Sequence, residues 1–159
     1  MTGKILLALA TLVLDGAVHA ASRSTTAVAL KVKAYKDGFS NCSRGMPPGI
    51  TAAWQVSQKD VEKIDATLIL HMERAGLTKK LRASPASYGR QYLGYVREGR
   101  RFVYVNAFLR SFGDPRASYV RACDGGNLFW GIEYDVQAGI FSNFEVNGEM
   151  GDPLEGLKL

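Results

Sequence analysis

The chain has 159 residues, of which 47% are apolar and 22% charged, and a formal net charge of +5. That apolar share supports a packed core and excludes a wholly disordered chain, and the length suits one domain. The two cysteines exclude a disulfide-dense mini-protein and a four-thiolate zinc site.

Lys4 precedes a nearly unbroken apolar run from Ile5 to Leu14, which Asp15 and Gly16 end. Val18-His19-Ala20 then offers a cleavage site. This is the three-part pattern of a secretory signal peptide over residues 1–20. Cleavage after Ala20 leaves a single domain over residues 21–150 and a flexible tail over 151–159. A run of about ten apolar residues spans about 15 Å as a helix, about half of a bilayer core, so no transmembrane segment is expected. The expected location is the periplasm or the outside of the cell. There the pair Cys42 and Cys123 is expected to form a disulfide. Closing a loop of about 80 residues contributes roughly 4 kcal/mol in the chain-entropy model.

Ala27 to Tyr35 alternates apolar and polar residues, the period of a half-buried strand. Phe39 to Ala53 carries Gly45, Pro47, Pro48 and Gly49 and reads as a loop. Ser57 is an N-cap with Asp60 three residues on. Val61, Ile64, Leu68, Met72 and Ala75 then recur at helical spacing, and Gly76 supplies the stop. The helix is expected over Gln58–Ala75. Strands are expected at Arg90–Glu98, Arg101–Leu109, Ser118–Cys123, Leu128–Val136 and Ile140–Val146, with turns at Glu98-Gly99-Arg100, Asp124-Gly125-Gly126 and Gln137-Ala138-Gly139. The fold class is therefore α+β. One helix packs across a curved antiparallel sheet of about five to six strands, burying its stripe against Tyr92, Val96, Val103, Val105, Phe129 and Ile132. This layout resembles the cystatin-like arrangement, which implies nothing about activity.

The segment Cys123-Asp124-Gly125-Gly126-Asn127-Leu128-Phe129-Trp130-Gly131-Ile132-Glu133-Tyr134-Asp135 resembles a signature of small exported bacterial proteins of uncharacterised function. The runs around Gln91-Tyr92 and Val103 to Phe108 fit the same group. The resemblance implies a bacterial envelope or secreted setting and no particular reaction.

Catalytic signals are sparse. After cleavage the only histidine is His71, so neither a zinc site nor a histidine-based triad is expected, and no cofactor motif is present. The carboxylates Asp124, Glu133 and Asp135 remain. Glu133 and Asp135 share one strand face, so a cell-wall glycan hydrolase working through them is the enzymatic alternative.

Charge is the stronger signal. Residues 74–121 carry a net +9 and residues 124–159 a net −6. Arginines and aromatics interleave in the basic stretch, a mixture favoured at protein interfaces. Arg97, Arg100, Arg101, Tyr95, Tyr104 and Trp130 are thus candidate binding residues. They would serve a non-enzymatic module, of inhibitor or immunity type, that recognises an acidic protein or an anionic envelope component. Nucleic acid is not an expected partner, given export and the absence of an RNA-recognition pattern. A structural envelope protein is a further alternative, and cross-strand pairing within the chain would consume the same charges.

Overall fold

The computed structural model describes residues 26–32, 43–45 and 47–148. The expected leader, Cys42 and the tail after residue 150 lie outside them. The elements are β1 (Ala27–Ala29), β2 (Ile50–Trp54), α1 (Gln58–Arg74), β3 (Tyr88–Arg97), β4 (Arg100–Leu109), β5 (Phe129–Asp135) and β6 (Ile140–Val146). Among the described residues no helix is long and apolar enough to cross a membrane.

Helix α1 begins where its cap chemistry places it. The Ser57 hydroxyl accepts a hydrogen bond from the Asp60 backbone N–H at 3.1 Å and lies 2.6 Å from the Asp60 carboxylate. The helix ends at Arg74 with Ala75 as its cap, and the chain turns away at Gly76, whose φ of 67° only glycine adopts freely. Val61, Ile64, Leu68 and Met72 are buried, while Ala75, expected on the same stripe, is exposed.

The sheet is curved and runs β1–β3–β4–β5–β6, with β2 also paired to β3. Its centre is the β3–β4 hairpin, ten residues in each strand. Glu98 and Gly99 both take positive φ, the two-residue turn that matches strand twist. The α1 stripe packs on one sheet face against Tyr92, Val103, Val105, Trp130, Ile132 and Phe141. Leu93, Tyr95, Phe102 and Tyr104 form a second apolar cluster with Leu30. Phe129, expected under the helix, instead packs against Phe112, the rings tilted by 55° with centroids 5.0 Å apart.

Three departures from the sequence reading have physical causes. First, the sheet is mixed, because β1 pairs parallel to β3 along Arg90–Tyr92. Second, the expected loop contains a strand: β2 takes the remaining edge of β3, Gly94 to Arg97, in antiparallel register. Its residues Ile50, Thr51 and Trp54 favour a strand locally, and the free edge of β3 supplies the partner. Third, Ser118–Cys123 is not a strand. Side chains replace its ladder. Gln91 donates to the carbonyls of Pro115 and Ser118 and accepts from the Val120 N–H, and Asn106 donates to the Val120 carbonyl. The Asp124 turn likewise joins no hairpin. It opens a single helical turn at Gly126–Leu128, and Asp124 forms an isolated bridge with Gly148.

Candidate functional site

A small cleft lies where the first turns of α1 leave the sheet uncovered, near the hairpin end of β4. Trp54, Asp60, Lys63, Ile64, Arg101, Tyr134 and Val136 line a cavity of about 110 Å³. Trp54 lies across Gly94, and its indole N–H is shared between the carbonyls of Tyr95 and Phe102, both at 3.1 Å. The Arg101 guanidinium stands over the Trp54 ring, 5.1 Å from its centroid. That stacking fixes a cation at the mouth of the cleft. Among the described residues neither Arg101 nor Lys63 has a carboxylate within ion-pair distance. Asp60 in the same wall is already engaged with the Ser57 cap.

The other arginines of the hairpin sit differently. Arg97 pairs with Glu133 at 2.9 Å, and its guanidinium lies 4.2 Å from the Phe102 ring centroid. Arg100 pairs with Asp135 at 2.5 Å. The basic stretch and the acidic stretch thus meet across the sheet: Arg100 of β4 reaches Asp135 on the neighbouring β5, and Arg97 of β3 reaches Glu133 across β4. Tyr95 is buried and donates to Glu133 at 2.6 Å. Burial, then that bond to a carboxylate, pushes its phenol above the ordinary tyrosine range. Tyr104 is buried on the same face as Tyr95, and Trp130 is fully buried beside Tyr88.

The candidate carboxylates are committed to different tasks. Glu133 is buried and accepts from Tyr95, Arg97 and Asn143. It lines a cavity of about 260 Å³ with Tyr104, Asn143 and Glu145. Asp135 caps its own turn by accepting from the N–H groups of Gln137 and Ala138. Asp124 is exposed and borders a different cavity of about 410 Å³, lined mainly by Phe112, Val120, Leu128 and Phe129. Cys123 is exposed at the same border. Among the described residues no group of three or more potential metal ligands converges.

The sequence reading passed over one buried polar cluster. Asp65 of α1 holds Arg90 through two contacts, 2.5 and 3.1 Å, and accepts from the Tyr92 hydroxyl at 2.5 Å. Burial lowers the basicity of the Arg90 guanidinium, but the Asp65 hydrogen bond and charge outweigh it and raise the pKa. Burial, followed by the Asp65 charge, lifts Tyr92 well above its ordinary range. A sequence signal for this cluster exists. Asp65 lies four residues after Val61 and three before Leu68, so it interrupts the buried stripe with a charge. The Trp54 cleft left no comparable signal, because Trp54 falls between the expected loop, which ends at Ala53, and the Ser57 cap, and belongs to no expected element. No family model, no curated protein and no solved structure matches the chain.

Proposed function

We propose that the protein is an exported binding module that captures an acidic segment of a partner protein at the Trp54–Arg101 cleft. The observation that carries this reading is that Arg101, unlike Arg97 and Arg100, is held on an aromatic ring and has no carboxylate partner among the described residues. Lys63 adds a second cation to the same wall. The cleft volume of about 110 Å³ suits one inserted side chain better than a glycan chain. The export part of the proposal rests on the leader pattern of residues 1–20.

A Cys42–Cys123 staple belongs to the same proposal. Ser43, the residue after Cys42, packs within reach of Gly148, and Gly148 bridges to Asp124, the residue after Cys123. Intact-mass measurement before and after reduction tests the staple, and an unchanged mass removes it.

The cleft is tested by titrating a glutamate-rich peptide while following tryptophan fluorescence. The chain has two tryptophans, and Trp130 is buried, so the change reports Trp54. Saturable quenching is expected for the native chain, and its loss in Arg101→Glu. Quenching that is equal in Arg101→Glu sinks the proposal. A response to anionic lipid vesicles or to peptidoglycan, but not to the peptide, reassigns the partner to the envelope.

A further inference from the structure

Helix α1 divides its charges by flank. At about 3.6 residues per turn, Lys63, Thr67, Leu70, His71 and Arg74 fall on one side of the buried stripe, and Glu62, Asp65 and Glu73 on the other. Two cavities open along the first flank. The Trp54–Arg101 cleft takes in the early turns, with Asp60, Lys63 and Ile64 in its wall. A second cavity of about 290 Å³ takes in the late turns, where Leu70, His71 and Arg74 face Ile140 and Phe141. The two adjoin. Tyr134 of the first and Phe141 of the second are register partners on β5 and β6, with ring centroids 4.7 Å apart, and the His71 ring lies 5.0 Å from that of Phe141.

The second cavity has an apolar wall open to solvent. Leu70 and Ile140 are 50% and 60% exposed. Large apolar side chains exposed together and rimmed by charge mark a contact surface. The rim here is of one sign. Among the described residues neither Lys63 nor Arg74 has a carboxylate within ion-pair distance, as is also true of Arg101. Asp60 is the only carboxylate in either wall, and the Ser57 cap engages it. Such a rim repels a second copy presented face to face and attracts an acidic chain. Lys63 and Arg74 lie about 16 Å apart along the helix axis, at about 1.5 Å per residue. An extended chain covers that distance in about five residues.

We propose that the two cavities are the ends of one groove, which takes an extended acidic segment of a partner protein. One acidic side chain meets Arg101 and Lys63. A second, about five residues away, meets Arg74. An apolar side chain beside the second covers Leu70 and Ile140. This rests on the Trp54–Arg101 reading and adds to it the length and residue pattern of the segment.

Two peptides with blocked termini separate the claims. Triglutamate, about 10 Å long when extended, reaches the cleft alone. Glu-Leu-Ser-Ser-Leu-Glu has the same pattern from either end and spans both cavities. Each is titrated against the native chain and against Arg101→Glu, Arg74→Glu, Ile140→Ser and Lys79→Glu while Trp54 fluorescence is followed. All four positions are exposed, so the variants keep the fold, and Lys79 lies outside both walls. Hexapeptide affinity is expected to fall about tenfold in Arg74→Glu and in Ile140→Ser. Triglutamate affinity is expected to hold in both, and Lys79→Glu to change neither. Hexapeptide affinity that is unchanged in Arg74→Glu or in Ile140→Ser, or that falls as far in Lys79→Glu, overturns the groove. The cleft reading survives that result if triglutamate binding still requires Arg101. If Arg101→Glu binds both peptides as the native chain does, the cleft reading fails and the groove with it. A native chain that sediments as a dimer, and as a monomer in Ile140→Ser, assigns the face to a second copy and also overturns the groove.

Discussion

At the scale of single residues, glycines decide where large side chains go. Gly94 lies beneath Trp54, and a Cβ there would stand 2.5 Å from the Trp54 carbonyl oxygen and 2.7 Å from its ring. Backbone cannot yield as a flexible side chain can. Gly94→Ala is therefore expected to destabilise by about 1–3 kcal/mol, as overpacking does. It also displaces the indole from under Arg101. Chemical denaturation measures the first effect and glutamate-peptide titration the second, and a variant with native stability and native quenching would contradict both. Asp65 is the other decisive residue. It is the only carboxylate among the described residues that touches both Arg90 and Tyr92. Replacing it by asparagine leaves a buried guanidinium unpaired, and breaking such a pair costs about 3–5 kcal/mol. Urea unfolding checks this, with a cost below about 1 kcal/mol, the level of an exposed pair, as the contrary result.

At the scale of elements, α1 and the β3–β4 hairpin were legible from sequence for different reasons. The helix announces itself twice, by the Ser57 cap and by the stripe Val61, Ile64, Leu68 and Met72. The hairpin announces itself by two apolar runs around Glu98-Gly99. Strands β1 and β2 are short, three and five residues, and their pairing depends on the edge that β3 exposes. No local pattern encodes that edge. Leu68 is fully buried between α1 and the sheet. Leu68→Ala is expected to cost about 2–5 kcal/mol through lost transfer energy and a residual cavity. A drop in Tm with unchanged hairpin circular dichroism would place the damage in the helix–sheet layer. A drop smaller than that of an exposed Leu70→Ala control would refute the assignment.

At the scale of the whole molecule, the charge asymmetry of the chain is largely folded inward. Basic strands β3 and β4 meet acidic β5 at Arg97–Glu133 and Arg100–Asp135, and Arg90 meets α1 at Asp65. Buried phenols share these networks, which gives the fold an alkaline limit. Tyr92 and Tyr95 are raised above the ordinary value of 10.0, chiefly by burial and then by Asp65 and Glu133. The unfolded chain releases these protons near pH 10, whereas the folded chain keeps them. Below pH 10 the contribution to stability is fully present. Above it, stability falls by about 1.4 kcal/mol per pH unit for each tyrosine as pH rises toward the folded values. Urea midpoints measured through alkaline pH test this. Constant midpoints above pH 10 would show that neither phenol is held neutral by the fold.

The amino-acid sequence by itself determined the α+β class, the span of the long helix, the central hairpin and the opposed charges of residues 74–121 and 124–159. Each of these depends on neighbours in the chain: periodicity, caps, turns and composition. Only the tertiary structure decided which charges cancel and which remain. Arg97, Arg100 and Arg101 are near-equivalent as sequence, yet the strand order β3–β4–β5 sets carboxylates of β5 beside the first two. Trp54, more than forty residues away, comes to lie beneath the third. Arg44 joins Asn106 and Gly131 in the same way, through contacts between distant segments. Pairing of that kind is a property of the packed sheet, so an arginine's neighbours in the chain do not say whether its charge is spent or free.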